Sequence, residues 1–208
     1  CLERGELPFR DSLTGRTPAV PSNTGRLALD RGDVLRVTGN GGAGAGDPLL
    51  RDPELVAADV RDRYVTAKNA LAAYGVVLDD AGAVDVSATE KQRAEIRRGR
   101  IGADPERTQG QPSTPGVAVA IGAESTWECA CCSGDMGPID ADWRQHAVSV
   151  QTPAVEHFEA LDMYVKPRQG ETAFVVEDHF CPHCAGLIFS QCYPQGSPGV
   201  AVARLALA

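Results

Sequence analysis

Cys129-Ala130-Cys131-Cys132-Ser133-Gly134 and Cys181-Pro182-His183-Cys184-Ala185-Gly186 share one local frame: cysteines three positions apart, then glycine two positions after the second. Two sulfurs at that spacing reach one ion from a tight turn, backbone N–H groups fold back onto them, and glycine is expected for a left-handed bend after the second ligand. One frame reads as a zinc knuckle. Two frames close a tetrahedral site of four thiolates, Cys129, Cys132, Cys181 and Cys184. Four thiolates leave no position for water, so the predicted zinc is structural rather than catalytic, and no catalytic residue is assigned. Scattered core cysteines do not account for two copies of the frame. A redox dithiol at Cys-Pro-His-Cys normally opens a helix, whereas residues 185–189 read as extended. Cys131, Cys192, His179 and His183 compete for ligation. Cys131 breaks the two-residue gap, His183 points away when both its cysteines bind, and His179 is the best-placed substitute.

The 48 residues between Cys132 and Cys181 exceed a minimal ribbon, so a hairpin or larger β insertion separates the knuckles. Strands are expected at 117–121, 126–130, 147–150, 173–176 and 200–207, with 187–190 a further candidate. Together they predict a mainly β, zinc-ribbon-like domain over residues 117–208. Upstream, residues 103–116 (ADPERTQGQPSTPG) have no helical or strand period and read as a linker.

Residues 1–102 form the other expected region. A short strand at 34–37 runs into a glycine-rich loop that ends at Gly46-Asp47-Pro48. Asp52 followed by Pro53 caps a short helix. Thr66 caps a second, stopped by Gly75 and followed by strand-like Val76-Val77-Leu78. A third is expected to start at Ser87, with Glu90 completing a capping box, and to stop at Gly99, its face of Arg93, Arg97 and Arg98 solvated. The fold class is therefore α+β: a short helical region with a glycine-rich loop, a linker, then the β domain.

Charge is unevenly divided. Residues 1–102 carry 15 Lys and Arg against 15 Asp and Glu, while residues 103–208 carry 5 against 13 and so hold the net charge of −8. Four thiolates around a divalent ion add about two more negative charges, so the cysteine half repels phosphate backbones, which excludes nucleic acid as a partner. No apolar run approaches the ~20 residues that cross a bilayer, and no membrane partner is expected. No signal-like segment is evident, so the cysteines are read in a reducing compartment, the cytoplasm. Cys1 in first position reads as the start of a fragment or cleaved product of a longer subunit.

Several motifs carry no function on this reading. Gly39-x-Gly41-x-x-Gly44 is followed by Ala45-Gly46-Asp47-Pro48 rather than a helix, and no Walker A sequence occurs, so the chain is not expected to bind a dinucleotide or ATP. Arg31-Gly32-Asp33 reads as a turn. His146, near Asp140 and Asp142, and His157, near Glu156 and Glu159, read as surface residues.

Gly41-Gly42-Ala43-Gly44-Ala45-Gly46-Asp47-Pro48, Arg51-Asp52-Pro53-Glu54, Val56, Asp59-Val60, Tyr64-Val65 and Tyr74-Gly75-Val76-Val77-Leu78 resemble the C-terminal end of the hydantoinase B family. That family includes the large subunits of acetone and acetophenone carboxylases and the matching half of 5-oxoprolinase. The segments Trp127-Glu128-Cys129, Asp142-Trp143-Arg144 and Glu177-Asp178-His179-Phe180-Cys181-Pro182-His183-Cys184-Ala185-Gly186-Leu187-Ile188 resemble the small, zinc-binding (gamma) subunit of acetone carboxylase. The two resemblances imply a structural portion of an ATP-dependent, biotin-independent ketone carboxylase, a ligase. Its partners would be a hydantoinase A-like ATPase subunit and the rest of the hydantoinase B-like large subunit, which would carry ATP and a second divalent metal. The same portion of an ATP-dependent hydantoinase or lactam amidohydrolase is the alternative, and a stand-alone zinc-ribbon adaptor is a second.

Overall fold

Three of the helices begin where short polar side chains satisfy their first free N–H groups. In the computed structural model, which describes residues 28–30, 33, 46–112, 114, 117–122, 124–163 and 173–199, the Asp47 carboxylate accepts from Leu49 N and opens a 3₁₀ turn, Pro48–Leu50. Asp52 accepts from Glu54 N and caps α1, Pro53–Arg61; Thr66 accepts from Asn69 N and caps α2, Ala67–Tyr74. Gly75 ends α2 at φ +61°. Asp52, Thr66 and Gly75 are the caps and the stop expected from the sequence; the Asp47 cap is not among them. The expected strand after Gly75 is reduced to one bridge, Leu78 to Val84.

The third helix corrects the sequence reading. α3 spans Val86–Ile101 and is capped by Asp85, whose carboxylate accepts from Ala88 N, not by Ser87. Asp85 N also donates to Val77 O, which fixes the chain entering the helix and decides between two caps two residues apart. Gly99 does not stop the helix; Gly102, at φ +72°, does. Nor is the arginine face simply solvated. Arg93 donates to the carbonyls of Tyr74 and Arg51, and Arg97 donates to the Gln109 amide oxygen. Arg98 stays exposed and pairs with Asp104.

The β region consists of two antiparallel meanders. β1, Val119–Ile121, pairs with β2, Thr126–Cys129, which pairs with β3, Asp135–Pro138; β4, Val148–Pro153, pairs with β5, Phe174–Phe180, which pairs with β6, Leu187–Pro194. Five of these strands lie where β-branched content placed them. β3 was missed because Asp-Met-Gly-Pro has no strand propensity, and so was α4, Ala154–Ala160, between β4 and β5. The fold is α+β.

Two apolar clusters form the core. Val56, Ala70 and Val76 bind α1 to α2, with Val60, Tyr74 and Leu78 around them. Cys129, Met136, Trp143, Cys181 and Cys184 fill the other, with Trp127, Ile188 and Phe189 packed on it. The chain divides into the units Cys1–Gly42 and Ala43–Ala208. All described elements lie in the second; in the first, Asp33 N donates to Asp30 O and Asp30 N to the Asp33 carboxylate. The strands expected at 34–37 and 200–207, the loop at 39–45 and Arg31-Gly32 lie outside the described residues. Among the described residues no helix is long and apolar enough to cross a membrane.

Candidate metal centre

Each cysteine pair sits on a turn between strands: Cys129 ends β2 and Cys132 precedes β3, while Cys181 and Cys184 lie between β5 and β6. The two turns have the same hydrogen bonds. Cys129 N donates to Gly134 O and Ser133 N to Cys129 O; Cys181 N donates to Gly186 O and Ala185 N to Cys181 O.

The structure reassigns the glycines of the frame. The left-handed residues are Ser133, at φ +54°, and Ala185, at φ +58°, each immediately after the second cysteine. Gly134 and Gly186 are required by close approach instead. A Cβ on Gly134 would lie 2.5 Å from His183 Cδ2, and one on Gly186 would lie 2.7 Å from Gln109 Nε2. His183 uses this space to bridge the turns, its Nε2 lying 3.1 Å from Asp135 O.

The four sulfurs of Cys129, Cys132, Cys181 and Cys184 lie within 4.8 Å of one another, with Cys129 to Cys184 and Cys132 to Cys181 both at 3.8 Å. A tetrahedral zinc with bonds of about 2.3 Å requires sulfurs about 3.8 Å apart, so the donor set fits a metal ion. Three of the four cysteines are buried and Cys132 is half-buried. Packed as thiols, they share protons unequally. Sulfhydryl donors from Cys131, Cys181 and Cys184 hold Cys129 well below the usual thiol range, and the hydrogen bond to Cys129 pushes Cys181 up to about 12. Cys184 is raised by its bonds to Cys129 and Cys181.

The other sequence candidates lie elsewhere. Cys131 is bonded to Cys129, which raises its pKa, but it is not one of the four mutually close sulfurs. Cys192 is exposed on β6. His179 is only 4% exposed, with Nδ1 2.7 Å from Ser149 Oγ and its ring edge-on to Trp143. It belongs to the sheet and not to the sulfur cluster. His146 sits in the 3₁₀ turn Trp143–His146, and His157 on α4 lies 4.0 Å from Asp178.

Sequence reasoning missed what holds the knuckles in place. Asp47, its side chain 1% exposed, accepts five hydrogen bonds: from Arg100 Nη1 and Nη2 at 2.6 and 2.9 Å, Gln109 Nε2 at 2.7 Å, and Leu187 N and Leu49 N at 3.0 Å. Burial opposes its charge, but the bond and charge of Arg100 and the two N–H groups prevail, holding its carboxyl below the usual carboxylate range. Residues 103–112 run across both knuckles: Arg107 N donates to His183 O, Arg107 Nη1 to the carbonyls of Cys132 and Ser133, and Gly110 N to Cys131 O. Capping logic could have flagged Asp47, as an Asp before Pro; nothing local signals Arg107. Beside the cluster a groove of about 860 Å³ is lined by Arg51, Tyr74, Cys131, Ile188 and Phe189 among others, and Asp47, the carboxylate at its wall, is already taken by its five donors.

No family model matches the chain. It is 34% identical over 89 residues to a protein described as the B subunit of a D-/L-hydantoinase from a Pseudomonas species, covering 43% of this chain and 15% of that one. It is 43% identical over 65 residues to the alpha subunit of acetone carboxylase from Xanthobacter autotrophicus, covering 29% and 8%, and 48% identical over 68 residues to the beta subunit of caprolactamase from Pseudomonas jessenii, covering 33% and 12%. The chain thus spans 8 to 15% of the length of these three relatives.

Proposed function

We propose that Cys129, Cys132, Cys181 and Cys184 hold one structural zinc ion, and that the chain is an assembly portion, not itself catalytic, of an ATP-dependent, biotin-independent ketone carboxylase. The observation that carries the metal reading is the four-sulfur cluster, with all four sulfurs within 4.8 Å of one another and two pairs 3.8 Å apart. A closed thiolate set supplies no Lewis-acid position for substrate; its effect is to hold two β turns together. The three relatives, each named as a subunit of a hydantoinase, a carboxylase or a caprolactamase, support membership of such a complex. The resemblance of the knuckle flanks to the acetone carboxylase gamma subunit favours the carboxylase. On this reading residues 1–102 are the hydantoinase B-like end, residues 117–208 are the zinc domain, and ATP and a second divalent metal are bound by the other subunits.

The second reading is the same portion of an ATP-dependent hydantoinase or lactam amidohydrolase, favoured by two of the three relatives' names. The native complex, purified through this chain, separates them. Bicarbonate-dependent ATP turnover with a ketone, one zinc per chain and a co-purifying ATPase subunit are expected. Turnover with a cyclic amide and no bicarbonate transfers the assignment to the amidohydrolase. Isolation as a lone monomer removes both.

A further inference from the structure

This inference rests on the zinc reading and concerns what the metal centre controls. Ala185, next to the ligand Cys184, holds a left-handed backbone without being glycine. Such a conformation persists only where its surroundings over-determine it. Two groups do so here: its N–H donates to Cys181 O within the knuckle, and its carbonyl accepts from Arg100 Nη1 at 3.0 Å. The same Arg100 nitrogen holds the Asp47 carboxylate, which also takes the N–H of Leu187, two residues further along the chain. Arg100 is fixed in turn over the Phe180 ring, 5.0 Å from its centroid, directly before Cys181. On the other side Arg107 binds the carbonyls of Cys132 and Ser133 with its side chain and that of His183 with its backbone. Gln109, next in this strap, donates to Asp47 while accepting from Arg97.

From these contacts we infer that metal occupancy at the four cysteines and the placement of the Gly46-Asp47-Pro48 turn are coupled, with Asp47, Arg100 and Arg107 as positioning residues of the metal centre. The metal fixes the second knuckle; the knuckle presents Ala185 O and Leu187 N; these fix Arg100 and Asp47; and Asp47 opens the 3₁₀ turn through Leu49 N. Linkage makes the coupling reciprocal: whatever loosens Asp47 weakens metal retention, and metal loss loosens the turn. Three arginines close to a site of net charge about −2 also offset part of its charge.

The test uses the full chain and two readouts, neither of them activity. Metal analysis of the wild type comes first: absence of zinc defeats the zinc reading itself, separately from the coupling. Amide exchange is then followed by NMR with zinc bound and after its removal. Faster exchange at Leu49 and Leu187 is expected, with the Ala70 amide of α2, in the other apolar cluster, unchanged. Zinc release to a chromogenic chelator should be about 10–100-fold faster from D47N and R107M than from wild type. R107K, which keeps a cation able to reach two carbonyls, should restore part of the difference, and R98A should release at the wild-type rate. R107M preserves the test if D47N does not fold. Unchanged exchange at Leu49, loss of all amides together, or wild-type release from D47N and R107M each overturns the coupling.

Discussion

Replacing Arg100 with methionine isolates the energetic role of the buried pair. Met keeps an unbranched apolar stem against Phe180 but leaves the Asp47 carboxylate, its side chain 1% exposed, with three of its five donors: Gln109 Nε2, Leu187 N and Leu49 N. Removing one partner of a buried pair typically costs about 3–5 kcal/mol, because the remaining charge stays in a poorly solvating site. The three surviving donors put the expected loss at the low end, about 3 kcal/mol. For a chain this size that is roughly 6–12 °C in Tm, and a large part of a total stability of about 5–15 kcal/mol. The assay is urea denaturation at pH 7 in a zinc buffer, for wild type, R100M, D47N and D47N/R100M. Since the cost is the stranded charge, the double variant should be more stable than R100M alone. A loss below about 1 kcal/mol in R100M, or strict additivity in the double variant, refutes the reasoning.

Gly134→Ala should lose about 1–3 kcal/mol in thermal or urea unfolding, since its Cβ would meet His183 Cδ2 at 2.5 Å, and G134A/H183A should recover most of that loss. Thr66→Ala should cost about 1 kcal/mol by the same measurement, through loss of the cap on Asn69 N; a change within ±0.3 kcal/mol would show that the cap is replaced by solvent. Glu177 is desolvated, which raises its pKa, but hydrogen bonds from Gln191, Gln151 and Tyr193 prevail and lower it. Its contribution is therefore complete above the unfolded value of about 4.3 and lost as pH falls through the lower folded value, so the stability difference between wild type and E177Q should shrink in acid. Because both proteins carry the same cysteine site, the pH dependence of metal binding cancels in that difference.

Much of the local structure was legible because it is decided locally. Asp52-Pro53, Thr66 and Gly75 mark helix ends through groups within about one helical turn of them, and the four cysteines that the fold brings together declare themselves by a repeated frame. The reading failed where the deciding partner is distant in sequence. Ser87 and Asp85 are equivalent caps until Val77 O binds Asp85 N, and Arg93 looks solvated until Tyr74 O and Arg51 O are brought beside it. Gly134 and Gly186 were assigned a torsional role when each makes room for a side chain from another segment, His183 and Gln109.

The position of Asp47 also bears on why a glycine-rich stretch should precede it. A carboxylate with five donors, two of them backbone N–H groups on separate segments, fixes its own backbone as well as its side chain. Gly46, at φ +85°, adopts a backbone conformation there that residues with a side chain rarely take. The second cysteine turn, Arg100 of α3 and the Gly46-Asp47-Pro48 turn are thus joined by one chain of hydrogen bonds. On the proposed coupling the cysteines would act at a distance, setting the placement of the Gly46-Asp47-Pro48 turn rather than taking part in chemistry. A zinc-depleted complex should accordingly keep its α1–α2 packing, built on Val56, Ala70 and Val76, while loosening the Gly46-Asp47-Pro48 turn. Limited proteolysis of the complex with and without a chelator reads this directly: new cleavage confined to the turn at residues 46–51 is the expected result, and cleavage beginning within α1 or α2 would refute it.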